Sequence, residues 1–429
     1  MQRREFLEWL GLGGADTWLR RYWPRDGLWN ACAPGPTPAA LRDHPVLQAC
    51  WEDIDPAQVW DAHAHLIGLG DNGGGAWVNP RMRRLRHPWQ YTQFAFYLNA
   101  ACAEQHSDRD GRFVERLLEL LEAFPPGVRA LLLAFDYRHD AGGVRDTALS
   151  AFYTPNAYAA RIAREHPERL GWIASVHPYR EDALAALDAA VAAGACAVKW
   201  LPAAMGMDPG SPACDAFYAA LNRHALPLLV HCGSEYAVHG GAEQPLGNPL
   251  RLRRPLAQGV RVIVAHCASL GNGVDLDRGP DAPMLSNFAL FARLMDEPAY
   301  ASHLYGEIST VTQVNRQPAV LETLIGRADW QPRLINGSDY PLPGIVPLVS
   351  PGYFAGRGWL SDEQTQLLRV LRRHNPLLFD FLLKRMLRIG GRGFAPEVFM
   401  TRRHFERHRP PAGEPLVGVP GWWSMRKVR

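Results

Sequence analysis

The stretch Val59–Leu66 reads V-W-D-A-H-A-H-L, and it decides how the rest of the chain is interpreted. A short apolar run here ends in two histidines, His63 and His65, which are two positions apart. In an extended strand, residues i and i+2 point to the same face, so both imidazoles can bind one metal ion. Two surface histidines would give the same pattern, so the metal interpretation depends on other parts of the chain.

Size and composition indicate a globular protein with one large core or two ordinary ones. The chain has 429 residues, of which 47% are hydrophobic. Its 46 Lys and Arg residues nearly balance 43 Asp and Glu, which argues against a nucleic-acid partner. No apolar stretch reaches the roughly 18 residues that a membrane span needs. The seven cysteines are an odd number without a C-x-x-C pair, so neither a disulfide framework nor a structural zinc site is expected.

The first residues allow two interpretations. Arg3-Arg4-Glu5-Phe6-Leu7 resembles a twin-arginine export signal, which would send the folded protein to the periplasm. However, Glu8 and Asp16 interrupt the apolar region that such a signal needs. A short amphipathic helix in a cytoplasmic protein is the alternative, and the cytoplasm is favoured.

Eight short apolar runs alternate with helix-like or loop segments and predict the fold. Such alternation is typical of an all-parallel sheet, and eight units predict an α/β (β/α)8 TIM barrel. A doubly wound open sheet is the alternative fold. The runs are Val59–Leu66, Val128–Phe135, Leu170–Val176, Ala195–Leu201, Leu226–His231, Arg261–His266, Leu304–Ile308 and Arg333–Asp339.

These runs divide the chain into three parts. Residues 1–58 are expected to form an N-terminal extension, residues 59–390 the barrel, and residues 391–429 a basic, Pro-rich tail on the surface. Helical spacing is clearest at Glu181–Ala193, where Leu184, Leu187 and Val191 form one stripe. The roughly 60 residues after the first strand exceed a usual βα loop and predict a lid or a pocket wall.

Polar residues lie at or near the carboxyl ends of five of the eight runs. His63 and His65 end the first, His231 the fifth, His266 the sixth and Asp339 the eighth, while Lys199 lies in the fourth. A polar group at the end of a buried strand is costly unless it is paired. Since catalytic groups of this fold gather at the carboxyl ends of the strands, these residues are expected to share one site.

This order of residues resembles the amidohydrolase superfamily, whose barrels carry H-x-H on strand one, Lys on four, His on five and six and Asp on eight. The flanking words L-V-H-C-G, A-H-C and G-S-D-Y-P, together with Asn375-Pro376-Leu377-Leu378-Phe379, resemble the amidohydrolase-related branch. That branch includes aminocarboxymuconate-semialdehyde decarboxylase, resorcylate decarboxylases and dicarboxylate lactonases. The likeness covers residues 59–385 and implies a metal-dependent enzyme acting on a small molecule.

The resemblance implies His63, His65, His231, Asp339 and Lys199 as metal ligands. Imidazoles and a carboxylate suit zinc best, with manganese or iron as alternatives. A carboxylated Lys199 would bridge two metal ions, whereas a cationic Lys199 would leave one, and one is favoured. The implied reaction is hydrolysis of an amide, lactone or ester-like bond by metal-activated water.

Within this reaction Asp339 would move the proton, and His266 would polarise the substrate oxygen or complete a second metal site. Arg180, Trp200 and Tyr236 are the predicted substrate-binding residues, and Arg180 suits a carboxylate. His177 is a functional candidate beside Arg180, whereas Tyr236, His239, Asn315 and Arg316 are weaker pocket candidates. Cys232 and Cys267 are expected to pack toward the outer helices. Non-oxidative decarboxylation or hydration of an aromatic or unsaturated acid, and metal binding without turnover, are alternative functions. The chain is also a candidate to form a homodimer.

Overall fold

The structure is a computed structural model that describes residues 27–33, 35–104, 106–238 and 241–406. The twin-arginine stretch, His239 and the end of the predicted tail lie outside these ranges. Among the described residues, no helix combines the length and the apolar character that a membrane crossing requires.

Each of the eight apolar runs contains a strand. All eight are short, and most of their residues are buried on both faces, as expected where helices cover a parallel sheet. The strands are β1 (Trp60–His65), β2 (Arg129–Leu133), β3 (Leu170–Ile173), β4 (Val198–Trp200), β5 (Leu228–His231), β6 (Val262–Ala265), β7 (Leu304–Glu307) and β8 (Leu334–Ile335).

The strands follow one another in sequence order and run parallel. β1 to β3 form one sheet and β4 to β8 another. A parallel bridge between Ala174 and Val198 joins β3 to β4, and a second one between Ala64 and Tyr340 joins β1 to the segment after β8. The α/β barrel predicted from the sequence is confirmed.

The longer helices cover the outside of the barrel. Several begin with a side-chain cap, such as the capping box in which Ser361 and Gln364 each accept a backbone N–H of the other. They are α1 (Pro88–Ala100), α2 (Arg109–Leu121), α3 (Asn156–Glu165), α4 (Ala183–Ala192), α5 (Asp215–Arg223), α6 (Asn287–Asp296), α7 (Pro318–Gly326), α8 (Asp362–His374) and α9 (Pro376–Met386).

Short elements occupy the connections. The short helices are Ala39–Arg42, Pro45–Gln48, Pro202–Met205, Arg253–Ala257, Pro351–Ala355 and Arg402–Phe405. Two antiparallel pairs join Trp77–Val78 to Phe152–Tyr153, and Asn272–Val274 to Met284–Ser286.

One predicted helix face is wrong in detail. Leu187 of α4 is buried, but Leu184 is 41% exposed, and the buried side includes Ala183 and Ala190 instead. Small alanines allow the helix to approach the barrel closely, so the contact face does not follow the largest side chains.

Residues 391–406, the described part of the predicted tail, do not lie on the surface as expected. Phe394, Val398 and Phe399 are buried in the main core, and Phe405 packs against the side chains inside the barrel. Its partners there include Leu131 of β2. Burying an aromatic ring contributes on the order of 2 kcal/mol, which explains why this basic segment returns to the core.

A disulfide bond joins Cys32 to Cys102, contrary to the expectation from the cysteine count. It ties the N-terminal extension to the residues that follow α1. Trp29 stacks on Phe96 of α1 with ring centroids 4.5 Å apart, and the backbone N–H of Asn30 donates to Asn99 Oδ1 over 2.8 Å. Seventy residues separate the two cysteines, so only the tertiary structure brings them together.

We expect the double variant Cys32→Ser/Cys102→Ser to be less stable than the wild type. Opening a loop of this length costs about 4 kcal/mol in the chain-entropy treatment, or roughly 4–6 °C in melting temperature for a chain of this size. Thermal unfolding followed by circular dichroism measures this change.

Reductant provides the control for this prediction. The five remaining cysteines are buried and lie outside this bond, so dithiothreitol should lower the melting temperature of the wild type and leave that of the double variant unchanged. Equal melting temperatures of the oxidised wild type and the variant would show that the bond does not stabilise the fold.

Candidate metal centre

The carboxyl ends of the barrel strands bring the predicted site residues together. The rings of His63 and His65 have centroids 5.2 Å apart, and those of His63 and His266 are 5.1 Å apart. His231 follows next, with its ring 5.1 Å from that of His266. Four imidazoles from β1, β5 and the end of β6 therefore form one cluster.

The carboxylate of Asp339 lies at the centre of this cluster. Its Oδ1 atom is 2.9 Å from His65 Nε2 and 3.3 Å from His63 Nε2, and its Oδ2 atom is 3.8 Å from His266 Nε2. The Nε2 atoms of three histidines thus point toward the same acidic group. His65 is partly exposed, whereas His63, His266 and Asp339 are buried.

Glu307 orients the imidazole of His63. Its Oε2 atom lies 3.1 Å from His63 Nδ1 in a fully buried position. A carboxylate only accepts, so Nδ1 donates and the lone pair is left on Nε2, toward Asp339. Burial alone would oppose the charge of Glu307, but His63 and Ser309 hold its pKa below the usual value.

The same carboxylate reaches His266 through Ser309. The Ser309 hydroxyl donates to Glu307 Oε2 over 2.7 Å and lies 2.8 Å from His266 Nδ1. The hydroxyl has one hydrogen and donates it to Glu307, so it can only accept from His266. His266 Nδ1 therefore carries a hydrogen, and Nε2 of His266 also keeps its lone pair. One buried carboxylate therefore orients two histidines.

A different carboxylate, that of Glu235, orients His231. Glu235 Oε2 lies 3.2 Å from His231 Nδ1, which leaves the lone pair on Nε2. The loop holds Glu235 firmly, because its Oε1 atom accepts the backbone N–H groups of Ala237 and Val238 over 2.6 Å and 2.9 Å.

The electrostatics leave these groups in the forms that bind metal ions. Burial lowers the pKa of His63, His231 and His266, so these imidazoles stay neutral. Burial opposes the charge of Asp339, but its pKa still lies well below the usual value, and a hydrogen bond from His65 to the carboxylate contributes to this. Neutral imidazoles and an ionised carboxylate are the donor forms that a divalent metal ion needs.

Two observations test whether a metal ion fits here. The ligand atoms of His63, His65 and Asp339 all lie within 4.8 Å of one another. His231 Nε2 and Lys199 Nζ are buried without a hydrogen-bond partner among the described residues. An unpartnered buried imidazole nitrogen is costly, and a metal ion would satisfy His231 Nε2. The residues therefore fit a divalent metal ion.

The backbone at two of these residues is unusual. His266 has a φ of 57° and Asp339 a φ of 59°, both in the left-handed region that ordinary residues avoid. Such conformations cost on the order of 1–3 kcal/mol and cluster at functional sites. Next to Asp339, a Cβ on Gly337 would lie 2.5 Å from Glu307 Oε1, so only glycine fits.

A largely apolar cavity opens above the site. It borders His63, His65, Lys199, His231, His266 and Asp339. One wall comes from the long loop after β1, whose helix α1 contributes Gln93, Phe96 and Tyr97. Tyr97 Oη donates to Ala237 O over 2.6 Å, which links this wall to the loop after β5. The long loop therefore forms a pocket wall, as expected.

The predicted substrate-binding residues divide into two groups. Tyr236 borders the cavity and is 51% exposed, and Asn315 and Arg316 border it as well. Trp200 does not, because its indole is fully buried and donates to Val176 O. Arg180 also lies outside the cavity lining.

Local contacts explain why three candidates lie elsewhere. Arg180 pairs with Asp136 at 2.8 Å and with Asp182 at 2.7 Å. The imidazole of His177 is fully buried against Met205 O. Trp200 precedes the helix after β4, and strand alternation directs its side chain outward, opposite to Lys199. The prediction that Cys232 and Cys267 are buried in the outer core is confirmed.

The sequence reasoning missed three acidic residues of the site. Glu307 and Glu235 orient histidines, and Asp61 accepts the backbone N–H groups of His63 and Ser338 over 3.1 Å and 2.8 Å. Glu307 carried a usable signal, because it ends the seventh apolar run as the histidines end theirs. Asp61 and Glu235 carried none beyond lying two and four residues from a histidine.

The fold and the site define a barrel whose strands carry, at their carboxyl ends, residues that fit a divalent metal ion. A family model described as Amidohydrolase matches residues 60–345, which is most of the barrel. The chain belongs to the amidohydrolase family. No protein with a curated description matches the sequence.

Solved structures with a similar fold include an uncharacterised TIM-barrel protein from Bordetella bronchiseptica. It is 14% identical, with a TM-score of 0.43 over 66% of this chain and 86% of that one. A probable 2-pyrone-4,6-dicarboxylic acid hydrolase from Acinetobacter baumannii is 16% identical, with a TM-score of 0.38 over 66% and 84%. The manganese-bound 5-carboxyvanillate decarboxylase from Novosphingobium aromaticivorans is 12% identical, with a TM-score of 0.43 over 75% and 96%.

We expect Glu307→Gln to lower the affinity for zinc about 10- to 100-fold, because Glu307 sets the tautomers of His63 and His266. Competition with a fluorescent zinc chelator measures the affinity. Glu322→Gln, at an exposed position, is the matched control and should bind zinc like the wild type. An unchanged affinity in a folded Glu307→Gln protein would contradict the orienting role.

Proposed function

We propose that this chain is a metal-dependent hydrolase that cleaves an amide, lactone or ester-like bond of a small molecule. One observation carries the proposal: the Nε2 lone pairs of His63, His231 and His266 share a buried site with the Asp339 carboxylate, beneath an open cavity. A bound divalent metal ion, with zinc favoured, would polarise a carbonyl group and lower the pKa of water toward about 7.

Asp339 has the position and the charge of the proton carrier. Its carboxylate accepts the proton that water loses on attack and returns it to the leaving group, as a general base and then a general acid. Its low pKa keeps the carboxylate ionised before the reaction begins. Asp339 itself is buried, which strengthens its electrostatic interactions.

His266 is better suited to accept than to donate. Its Nδ1 hydrogen is directed at Ser309, so its Nε2 lone pair faces the site. A neutral His266 therefore serves as a metal ligand or a proton acceptor. It would polarise a substrate oxygen only after gaining a proton, and burial opposes that gain.

We expect Asp339→Asn to lower turnover at least about 100-fold, because the amide cannot accept the proton from water. Hydrolysis of a panel of aryl esters, lactones and anilides by the zinc-loaded protein provides the measurement, with metal content determined in parallel. Asp281→Asn, at an exposed position, is the control. A variant that keeps near wild-type turnover would refute the role of Asp339. Release of carbon dioxide from an aromatic acid, without hydrolysis, would instead assign the chain as a decarboxylase.

The chemical form of Lys199, carboxylated or cationic, distinguishes a site with two metal ions from a site with one. Burial lowers the pKa of its amine to about 8. We propose one metal ion, so Lys199→Ala should leave the metal content at one equivalent in the chelator-stripped, zinc-reloaded protein. Plasma mass spectrometry measures it. A fall from two equivalents to one would show that a carboxylated Lys199 bridges two ions.

We also propose that the chain acts in an oxidising compartment after export. The Cys32–Cys102 bond supports this, since disulfides are rare in the reducing cytoplasm. It adds weight to the twin-arginine stretch at residues 3–7. In a host with a twin-arginine pathway, the full chain should reach the periplasm and Arg3→Lys/Arg4→Lys should remain inside. Cytoplasmic retention of both proteins would refute export.

A further inference from the structure

One charged side chain in the cavity has no acidic partner within the described part of the chain. Arg316 lies between β7 and α7, borders the cavity and is only 8% exposed. Its Nη2 atom donates to Thr310 Oγ1 over 3.1 Å, while Nε and Nη1 have no hydrogen-bond partner among the described residues. Burial lowers its pKa to about 10, so the guanidinium is still charged at neutral pH.

The nearby acids are already engaged. Asp339 and Glu235 attract Arg316 electrostatically, but neither forms an ion pair with it in the described part of the chain. Asp339 lies against the histidines, and Glu235 accepts two backbone N–H groups while facing His231. A buried guanidinium without a counter-charge is expensive to maintain. An anionic ligand in the cavity would supply the missing partner.

The rest of the cavity indicates what this anion carries. Arginine is suited to carboxylates, because its planar fork can donate two parallel hydrogen bonds. The walls provide aromatic and aliphatic surface that favours an apolar or aromatic body. These wall residues include Trp77, Phe96, Phe135, Phe152, Ile345 and Leu348.

We propose that Arg316 binds a carboxylate of the substrate, which is therefore an acid with an apolar or aromatic body. This inference rests on the proposed function, because it assigns the substrate class of the same site. It also gives Arg316 the role that the sequence suggested for Arg180. Arg180 has two acidic partners of its own and lies outside the cavity lining.

Benzoate and benzamide are suitable probes, because they have nearly the same shape and differ in charge. Isothermal titration calorimetry on the zinc-loaded protein should show benzoate binding at least about tenfold more tightly than benzamide. Arg316→Gln should abolish this preference by weakening benzoate and leave benzamide unchanged. Arg316→Lys retains the charge but loses the fork, so it should keep part of the preference.

Two controls separate this site from the metal centre. Arg180→Gln should keep the full preference for benzoate. His63→Ala/His65→Ala, which removes two metal ligands, should also keep much of it if Arg316 is the anchor. The proposal is overturned if the wild type shows no preference, or if Arg316→Gln keeps a preference that the histidine variant loses. If the preference is lost in the histidine variant but kept in Arg316→Gln, the metal ion holds the carboxylate.

Failure of the catalytic proposal would look different. A protein that binds no metal ion, or shows no metal-dependent turnover, but prefers benzoate through Arg316 would retain the carboxylate site and lose the hydrolase assignment. If Arg316→Gln does not fold, the Arg316→Lys protein tests whether the guanidinium recognises the carboxylate. A benzoate-to-benzamide ratio equal to that of the wild type would then refute recognition by the guanidinium fork.

Discussion

The buried contact between His63 and Glu307 is the interaction on which the candidate site depends. It places a carboxylate beneath the cluster of histidines and makes His63 Nδ1 the donor. Through Ser309, the same carboxylate also orients His266. The direction of two lone pairs therefore follows from one acidic residue at the end of β7. Without Glu307, a neutral imidazole could carry its hydrogen on either nitrogen, and the site would lose its uniform set of donors.

A second layer of contacts supports these residues from below. Asp61 connects β1 to the turn that carries Asp339, by accepting the backbone N–H groups of His63 and Ser338. Lys384 of α9 is fully buried and donates to Gly337 O over 2.7 Å, so the C-terminal helix reaches the same turn. The left-handed backbone of Asp339 is thus held from both sides. These contacts explain how a strained conformation persists at this position.

The cavity combines features that belong to different parts of the chain. Its floor comes from the strand ends, one wall comes from α1, and Arg316 borders it from the segment after β7. The disulfide and the stacking of Trp29 on Phe96 attach the N-terminal extension to the wall. The N-terminal extension therefore braces the wall that α1 provides. The charged Arg316 and the apolar walls together favour an amphipathic ligand over a purely polar one.

The sequence by itself determined the barrel and most residues of the candidate metal centre. The eight apolar runs and the histidines that end them are local patterns, and parallel strands bring their carboxyl ends to one edge. Glu307 was equally readable, but its role depends on which imidazole nitrogen it meets. Only the tertiary structure revealed the Cys32–Cys102 bond, the burial of Phe405 and the position of Arg316, but not Arg180, at the cavity. These depend on contacts between residues far apart in the chain, and such contacts leave no periodic pattern in a single sequence.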